Sequence, residues 1–307
     1  MPMTRVLCLF MVILFFLFFQ WCEISYGDDS LRTERESLID KYHKIEKELK
    51  KSSSAIPFYL ESSMSNNASH VDIYGTIKYP FDIVKNGLQL PTNWCDIVLL
   101  HTEVRACTYK KVNDTWLLTL YNVKKFQDPL EDAYQMKFEY RITQQLGFFA
   151  ISLSAPEGPF STKDHQIGLE VLSLDEGRTF IHLRYSLRYS PLGYFLMKSY
   201  FLIFGGGRIG FSVTGTDRDG NPVYVGGLRG AIESDVLRYY LAILAYMDTL
   251  KIPIEQRFEK RMSQWYDLTA RNKRQLFKME KEEYLTYKRQ DQESQQILQE
   301  VLNRSEF

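Results

Sequence analysis

The spacing of apolar residues divides the chain into a strand-rich middle and helical ends. Between Ile56 and Leu228 apolar and polar positions alternate, and residues 134–142 are the clearest example, with one apolar and one charged face. Clusters of Asp, Asn, Gly and Pro separate the alternating segments. The predicted strands are residues 71–79, 116–121, 134–142, 148–153, 166–174, 179–189, 207–213 and 223–227. One-sided alternation in consecutive strands predicts an antiparallel meander with one buried face.

Helical spacing is found on both sides of this region and in two places within it. Residues 31–51 carry apolar positions three and four residues apart, and residues 231–250 form the strongest predicted helix. The apolar stripe of that helix consists of Val236, Tyr239, Tyr240, Ile243, Leu244 and Met247. The other predicted helices are Phe81–Leu88, residues 92–100, Pro191–Phe204 and a charged arm over residues 256–303. The arm has few apolar positions, so we expect it to lie across the domain or extend from it, too polar to be buried.

The order of these elements resembles a known family. Strand, two short helices, meander and long helix follow one another over residues 71–250, as in the α+β helix-grip fold, where a curved antiparallel sheet surrounds the last helix. The local patterns that carry the resemblance are VDIYGT at 71–76, PTNWCDI at 91–97, GLRGAIE at 227–233 and RYYL at 238–241. The chain resembles the START-like, polyketide-cyclase-like superfamily (helix-grip, SRPBCC), and within it a group of secreted bacterial proteins of unassigned function. The resemblance implies a cavity for an apolar ligand.

The first residues carry the pattern of an export signal. Arg5 precedes an unbroken apolar run over residues 6–19, and Ser25 and Gly27 are the small residues that a signal peptidase accepts. An uncleaved membrane anchor is the alternative, because the apolar run is slightly short for a span. We predict a signal peptide at 1–27, a helical leader at 28–55, the START-like domain at 56–252 and a charged helical extension at 253–307. The predicted location is secreted or periplasmic.

Cysteine content and charge narrow the function classes. Cys8 and Cys22 fall within the predicted signal, so Cys95 and Cys107 remain, and in an oxidising compartment they most simply form one disulfide. Lys plus Arg equals Asp plus Glu, at 38 each, which argues against nucleic acid as a partner. The abundance of aromatic residues, 20 Tyr and 20 Phe, suits a packed core or a cavity for an apolar ligand.

The chain carries no strong catalytic, cofactor or metal motif. The glycines at 205–210 match G-x-G-x-x-G, but a predicted strand follows where nucleotide binding needs a helix. His70 with Asp72, and His101 with Glu103, share a strand face, yet a zinc site needs three or four converging ligands. The sequence therefore predicts no cofactor, no metal and no catalytic residues.

The leading functional prediction is an exported, non-enzymatic protein that binds a lipid or another hydrophobic small molecule between the sheet and the helix at 231–250. Face alternation suggests a set of cavity residues, with tyrosine hydroxyls or Arg238 holding a polar headgroup. That set is Tyr140, Phe149, Tyr185, Arg238, Tyr239, Tyr240 and Leu244. The apolar Pro191–Phe204 helix packs in the core, covers the cavity as a lid, or touches a membrane during ligand exchange.

Two alternatives belong to other classes. The first is an envelope scaffold that docks a protein partner through the arm at residues 256–303. The second is a cyclase or hydrolase, which requires polar groups that converge in the cavity.

Overall fold

A computed structural model describes residues 31–50, 56–65, 67–125, 127–204 and 209–304 of the chain. The predicted signal peptide at 1–27 lies outside these described residues. Within the described ranges, no helix combines the length and the apolar character needed to cross a membrane.

An eight-stranded antiparallel sheet dominates the structure, as the alternation predicts. Its strands are β1 (Phe58–Met64), β2 (Ala68–Ile77), β3 (Val104–Val112), β4 (Thr115–Asn122), β5 (Tyr134–Gln145), β6 (Phe148–Gly158), β7 (Thr162–Asp175) and β8 (Arg178–Tyr189). The strand order is β1-β2-β8-β7-β6-β5-β4-β3, so β3 to β8 form a continuous meander and β2 joins its far end. The sequence analysis did not predict β1 and β3.

Helices cover both faces and one edge of this sheet. They are α1 (residues 31–50), α2 (Phe81–Leu88), α3 (Pro91–Val98), α4 (Pro191–Phe204), α5 (Gly227–Asp248), α6 (Ile254–Ala270), α7 (Lys273–Leu276) and α8 (Lys281–Arg304). Since α2 and α3 connect β2 to β3 at opposite sides of the sheet, they close one end of the concave face. The fold is the predicted α+β helix-grip arrangement, with α5 inside the curve of the sheet.

The helix α5 is buried on more sides than its sequence suggests. The stripe predicts an amphipathic helix with one polar face, but Arg238 and Tyr240, on opposite sides of α5, are 2% and 0% exposed. The sheet, α3, α6 and the strands β9 (Ile209–Thr216) and β10 (Pro222–Gly226) all contact it. Its approach to β2 is close enough to require glycine, because a side chain at Gly75 would overlap the Tyr240 hydroxyl. The prediction of a one-sided helix is therefore wrong.

The last two strands do not continue the meander. We predicted them as part of the sheet, but β9 and β10 form a separate two-stranded ribbon. The carboxylate of Glu233, 0% exposed, holds this ribbon to α5 by accepting N–H bonds from Phe211 at 2.7 Å and Ser212 at 2.9 Å. Its other oxygen accepts a hydrogen bond from the Ser62 hydroxyl of β1. A buried carboxylate with three donors is a stable anchor.

The C-terminal arm is three helices whose inner side is buried, which corrects the expectation that it is too polar for burial. Met262, Trp265 and Tyr284 are 0–2% exposed and belong to the main core. The buried apolar positions of α6 and α8 are few, and Ile254, Ile297 and Val301 of the same helices are exposed. The arm therefore lies across the domain and contributes to its core.

The helix α8 covers the open edge of the sheet at β3. The Gln295 side chain accepts the Cys107 N–H at 2.8 Å, and Gln299 both accepts the Tyr109 N–H and donates to the Tyr109 carbonyl, each at 2.9 Å. Lys288 donates to the Val104 carbonyl at 2.7 Å. These side chains bond the backbone groups that an edge strand would otherwise leave unpaired.

The predicted disulfide between Cys95 and Cys107 is confirmed. It joins α3 to β3 with a Cα–Cα distance of 5.0 Å, and both residues are buried. Closing this loop stabilises the fold by about 3 kcal/mol in the chain-entropy description.

On the outer face of the sheet, α1 covers a charged cluster. His182 lies between two carboxylates, with Nε2 2.7 Å from Asp72 and Nδ1 2.8 Å from Glu170. Because an ionised carboxylate can only accept, this arrangement favours a ring that carries a proton on each nitrogen, an imidazolium. Burial alone would lower the pKa of His182, but the hydrogen bonds to these carboxylates raise it above its ordinary value. His70 contacts the second oxygen of Asp72 at 2.7 Å, and every group in this cluster has a partner.

Candidate functional site

A cavity of about 960 Å³ lies between the concave face of the sheet and α5. Its size falls within the range of about 300–1,000 Å³ that small-molecule sites occupy. Strands β4 to β8 form one wall, α3 and α5 form the opposite side, and α4 lies at the mouth. The apolar lining residues are Trp94, Ile97, Val98, Leu118, Leu120, Val123, Met136, Phe138, Leu153, Pro159, Phe160, Ile167, Leu183, Leu187, Met197, Leu228, Ile232 and Val236.

Strand alternation explains why the sheet wall is apolar. On β8, Leu183 and Leu187 line the cavity, while the side chain of His182 lies on the outer face with the charged cluster. On β5 the same alternation directs Met136 and Phe138 into the cavity. The apolar wall is therefore a direct consequence of the period of two in the sequence.

The mouth of the cavity is formed by α4 and the turn between β6 and β7. Met197 and Tyr200 of α4 line the cavity, and the Tyr200 ring packs against Phe160 with a centroid distance of 5.2 Å. Phe160 has φ of 58°, a left-handed conformation that is costly for an aromatic residue. The outer side of α4 presents Leu192 and Phe195, which are 62% and 63% exposed. The helix thus has one apolar side toward the cavity and another toward solvent.

Polar side chains gather on the side of the cavity formed by α5 and by the segment after α3. The His101 ring stacks on Tyr239 at a centroid distance of 4.4 Å and is 2% exposed. Asp235, which also lines the cavity, pairs with Arg238 at 2.6 Å. Glu103 pairs with Lys278 at 2.9 Å. The charges nearest this side of the cavity are therefore already neutralised in pairs.

A second polar group comes from β7 and β8. His165 Nδ1 lies 2.9 Å from the Tyr185 hydroxyl, and its Nε2 lies 2.8 Å from the Thr162 hydroxyl. Burial lowers the pKa of His165 to about 4 and raises the pKa of Tyr185 well above its ordinary value. At neutral pH the imidazole is uncharged and the phenol keeps its proton.

These protonation states suit hydrogen bonding better than proton transfer. General acid–base catalysis works best with a pKa close to the working pH, and both His165 and Tyr185 are far from pH 7. Burial also raises the pKa of Tyr239, so its hydroxyl stays protonated. Among the residues that the structure describes, no group of three or more His, Cys, Asp or Glu side chains could hold a metal ion.

The predicted cavity residues fall into two groups. Tyr185 and Tyr239 line the cavity. The other five lie outside its lining. Tyr140, Phe149, Arg238, Tyr240 and Leu244 pack in or against the surrounding core. Among these, the Tyr140 hydroxyl donates to the Gln89 carbonyl at 2.6 Å and Arg238 donates to the Leu276 carbonyl at 3.1 Å, so these polar groups are engaged within the protein. A binding role for the set stays a prediction.

Sequence reasoning did not select His101, His165 or Asp235 as cavity residues. His165 lies near the start of β7, between Lys163 and Gln166, where the pairing of β7 with β8 shifts its register. The alternation of apolar and polar residues along one strand cannot show such a shift. His101 lies in the turn between α3 and β3 and has no periodic signal. A useful signal was available for Asp235, because it precedes the apolar stripe position Tyr239 by one helical turn.

No protein-family model matches the chain, and no curated protein matches it. Several solved structures do match. The aromatase/cyclase ZhuI from Streptomyces sp. R1128 is 13% identical, covers 40% of this chain and 70% of its own, and has a TM-score of 0.29. The human StarD13 (DLC2) lipid transfer and protein localization domain is 13% identical, covers 51% and 86%, and has a TM-score of 0.33. Truncated norcoclaurine synthase from Thalictrum flavum is 11% identical, covers 47% and 89%, and has a TM-score of 0.33.

The names of the matching structures include the START superfamily, an aromatase/cyclase and a synthase. They include a domain named for lipid transfer and two named enzymes, and their TM-scores are near 0.3. At that level of similarity the alignments decide nothing about this chain. The fold assignment rests on strand order and on the position of α5.

Proposed function

We propose that this protein binds a lipid or another hydrophobic small molecule in the cavity between the sheet and α5, without transforming it. The observation that carries the proposal is a cavity of about 960 Å³ whose sheet wall consists of side chains such as Leu120, Phe138 and Leu183. Transfer of an apolar ligand from water into such a space is favourable in proportion to the apolar area buried.

The chemistry of the polar cavity groups favours binding over catalysis. A cyclase or hydrolase would need a base or acid that exchanges protons near neutral pH. The pKa of His165 is lowered to about 4 and that of Tyr185 is raised, in each case mainly by burial. Both therefore act as fixed hydrogen-bonding groups at pH 7.

The helix α4 is the proposed route for ligand exchange. Its inner residues Met197 and Tyr200 line the cavity, and its outer residues Leu192 and Phe195 are exposed. An exposed apolar helix face next to a cavity mouth suits transient insertion into a lipid surface. We therefore propose that α4 touches a membrane while the ligand enters or leaves.

We also propose that the protein works outside the cytoplasm. The disulfide between Cys95 and Cys107 supports this, because such bonds persist mainly in oxidising compartments. The predicted signal at residues 1–27 adds an independent argument from the sequence. Amino-terminal sequencing of the protein from its native compartment should find a chain that begins at Asp28. A chain that retains Met1 would favour the anchor instead.

Titration with N-phenyl-1-naphthylamine, a neutral apolar fluorophore, tests the binding proposal. We expect saturable binding at one site per chain. The bound fluorophore should emit as it does in an apolar solvent from which water is excluded. Leu120→Trp combined with Met136→Trp narrows the cavity at its sheet wall and should weaken binding at this site. The matched control is Leu146→Trp, which adds the same side chain at a position that is 96% exposed.

Two outcomes would contradict the proposal. One is a folded wild-type protein without a saturable site. The other is a Leu120→Trp, Met136→Trp variant that binds the fluorophore as well as the control does. For α4, Leu192→Ser with Phe195→Ser should slow transfer of the fluorophore between vesicles while leaving its affinity unchanged, and an unchanged transfer rate would exclude the membrane route.

A further inference from the structure

One hydrogen-bond donor at the cavity has no partner. His101 lines the cavity, is 2% exposed and stacks on Tyr239 with an interplanar angle of 14°. Its Nδ1 accepts the backbone N–H of Glu103 at 3.2 Å. In a neutral imidazole the other nitrogen then carries the proton. The Nε2–H of His101 meets no acceptor among the described residues.

An unpaired buried donor is unfavourable, so its presence beside an apolar cavity calls for an explanation. The backbone bond to Glu103 and the stack on Tyr239 hold the ring in place from two sides. A half-turn of the ring would keep the stack but lose the bond from the Glu103 N–H, so that bond fixes Nε2 as the nitrogen that carries the free proton. This is the geometry of a preorganised donor.

The charge around His101 selects a neutral acceptor. The three cations whose charges act on this ring are Arg238, Lys278 and Lys288. Each forms an ion pair, with Asp235 at 2.6 Å, with Glu103 at 2.9 Å and with Asp291 at 2.9 Å respectively. Burial lowers the pKa of His101 well below its ordinary value, so the ring itself brings no positive charge. Each of these three cations therefore already has a carboxylate partner, and none is left to pair with a ligand carboxylate at this ring.

We propose that His101 Nε2–H donates a hydrogen bond to a neutral carbonyl oxygen, as in an ester or a ketone, of a ligand whose apolar part fills the cavity. This inference rests on the proposed function and specifies the class of ligand. At this ring it favours an ester or a ketone over a free fatty acid and over a pure hydrocarbon. The donor bond contributes selectivity, and the apolar walls contribute the affinity.

Competition against N-phenyl-1-naphthylamine with methyl palmitate, palmitate and hexadecane tests the proposal. The quantity of interest is the ratio of the hexadecane to the methyl palmitate dissociation constant, measured in the wild type and in His101→Phe. Phe keeps a ring for the Tyr239 stack and removes the donor. We expect the ratio to fall by about 3- to 10-fold in the variant, the effect of one hydrogen bond. Palmitate should compete more weakly than its methyl ester in the wild type.

The outcomes separate this inference from the proposed function. If the wild type binds the fluorophore and all three competitors without preference for the ester, the inference fails and the binding proposal stands. If nothing binds, the binding proposal fails first. An unchanged ratio in a folded His101→Phe variant also overturns the inference.

Infrared spectroscopy provides a test that needs no variant. Methyl palmitate labelled with carbon-13 at its carbonyl, bound to the wild-type protein, should absorb at a lower wavenumber than it does in hexane. A bound carbonyl that absorbs as in hexane has no donor and would overturn the proposal.

Discussion

Two buried histidines on opposite faces of the central sheet, His182 and His101, differ in charge and in hydrogen bonding. On the outer face, under α1, His182 donates from both ring nitrogens to Asp72 and Glu170. On the concave side, at the cavity, His101 uses Nδ1 as an acceptor and leaves Nε2–H unpaired within the described residues. The outer histidine is charged and satisfied, and the inner one is neutral and unsatisfied.

The difference separates a group whose hydrogen bonds hold the fold together from one that we propose to bind a ligand. Buried polar groups in proteins nearly always have partners, and the outer cluster follows that rule. The cavity donor departs from it beside a space of about 960 Å³. Stability measurements should therefore respond strongly to changes on the outer face, and ligand selectivity should respond to changes at the cavity.

The largest expected effect comes from His182→Ala. It leaves the carboxylates of Asp72 and Glu170 buried without the cation between them, and removing one partner of such a pair costs about 3–5 kcal/mol. Urea unfolding followed by circular dichroism measures the loss. His70→Ala is the control, since the His70 side chain is 40% exposed and its loss should cost less than about 1 kcal/mol.

Urea unfolding of His101→Phe tests the difference between His182 and His101 from the other side. The variant loses the bond from the Glu103 N–H but also removes an unsatisfied donor, so we expect a change within about 1 kcal/mol. If His101→Phe destabilised the protein as much as His182→Ala, both histidines would be structural and the distinction would be lost.

The disulfide ranks next, on the cavity side of the sheet. Cys95→Ser combined with Cys107→Ser should lower the free energy of unfolding by about 3 kcal/mol, because it releases the cross-link between α3 and β3. Adding dithiothreitol to the wild type during unfolding should give the same loss. If the urea concentration at the midpoint of unfolding did not change on reduction, the cross-link would contribute little to the free energy of unfolding.

The pH dependence of stability should have opposite signs for the two histidines. Because the folded pKa of His182 is raised, its stabilisation is complete below its unfolded pKa of about 6.5 and is lost as pH rises through the folded value. Because the folded pKa of His101 is lowered, the folded state keeps that ring neutral, and stability falls as pH drops below about 6.5. Each group changes the free energy of unfolding by at most about 1.4 kcal/mol per pH unit.

Unfolding of the wild type and both variants between about pH 5 and about pH 9 checks these signs. The cost of His182→Ala should shrink as pH rises, and His101→Phe should gain stability relative to the wild type as pH falls. Profiles that run parallel to that of the wild type would contradict both assignments.

The smallest expected effect concerns the edge of the sheet. Gln299→Ala removes the two bonds from α8 to Tyr109, and a half-exposed site of this kind should lose about 0.5–1.5 kcal/mol. The Tyr109 amide should then exchange with deuterium faster than in the wild type. Unchanged exchange would mean that α8 protects the edge by coverage alone.

The sequence predicted the sheet because burial on one face imposes a period of two. Residues 134–142 and 179–189 show that period and became β5 and β8. It failed for β3, whose last residues, Lys110 and Lys111, extend into solvent and hide the alternation of the first ones. It also failed for α5 and the arm, since the apolar pattern of one helix does not reveal what covers its other sides.

The candidate site was less predictable than the fold. The apolar wall follows from alternation, which placed Tyr185 on the correct face of β8. The polar side of the cavity depends on His101 and Asp235, which line the same space only because α5 and the segment between α3 and β3 converge. Local spacing carries no information about such convergence. The structure was needed to identify the unpaired donor.

Native mass spectrometry of the full chain with methyl palmitate tests the central claim, a ligand-sized apolar cavity between the sheet and α5, most directly. We predict a complex of one ester per wild-type chain, and a smaller complexed fraction in the variant that carries Trp at positions 120 and 136. A wild-type protein that stays empty, or a variant that binds the ester equally well, would contradict this account.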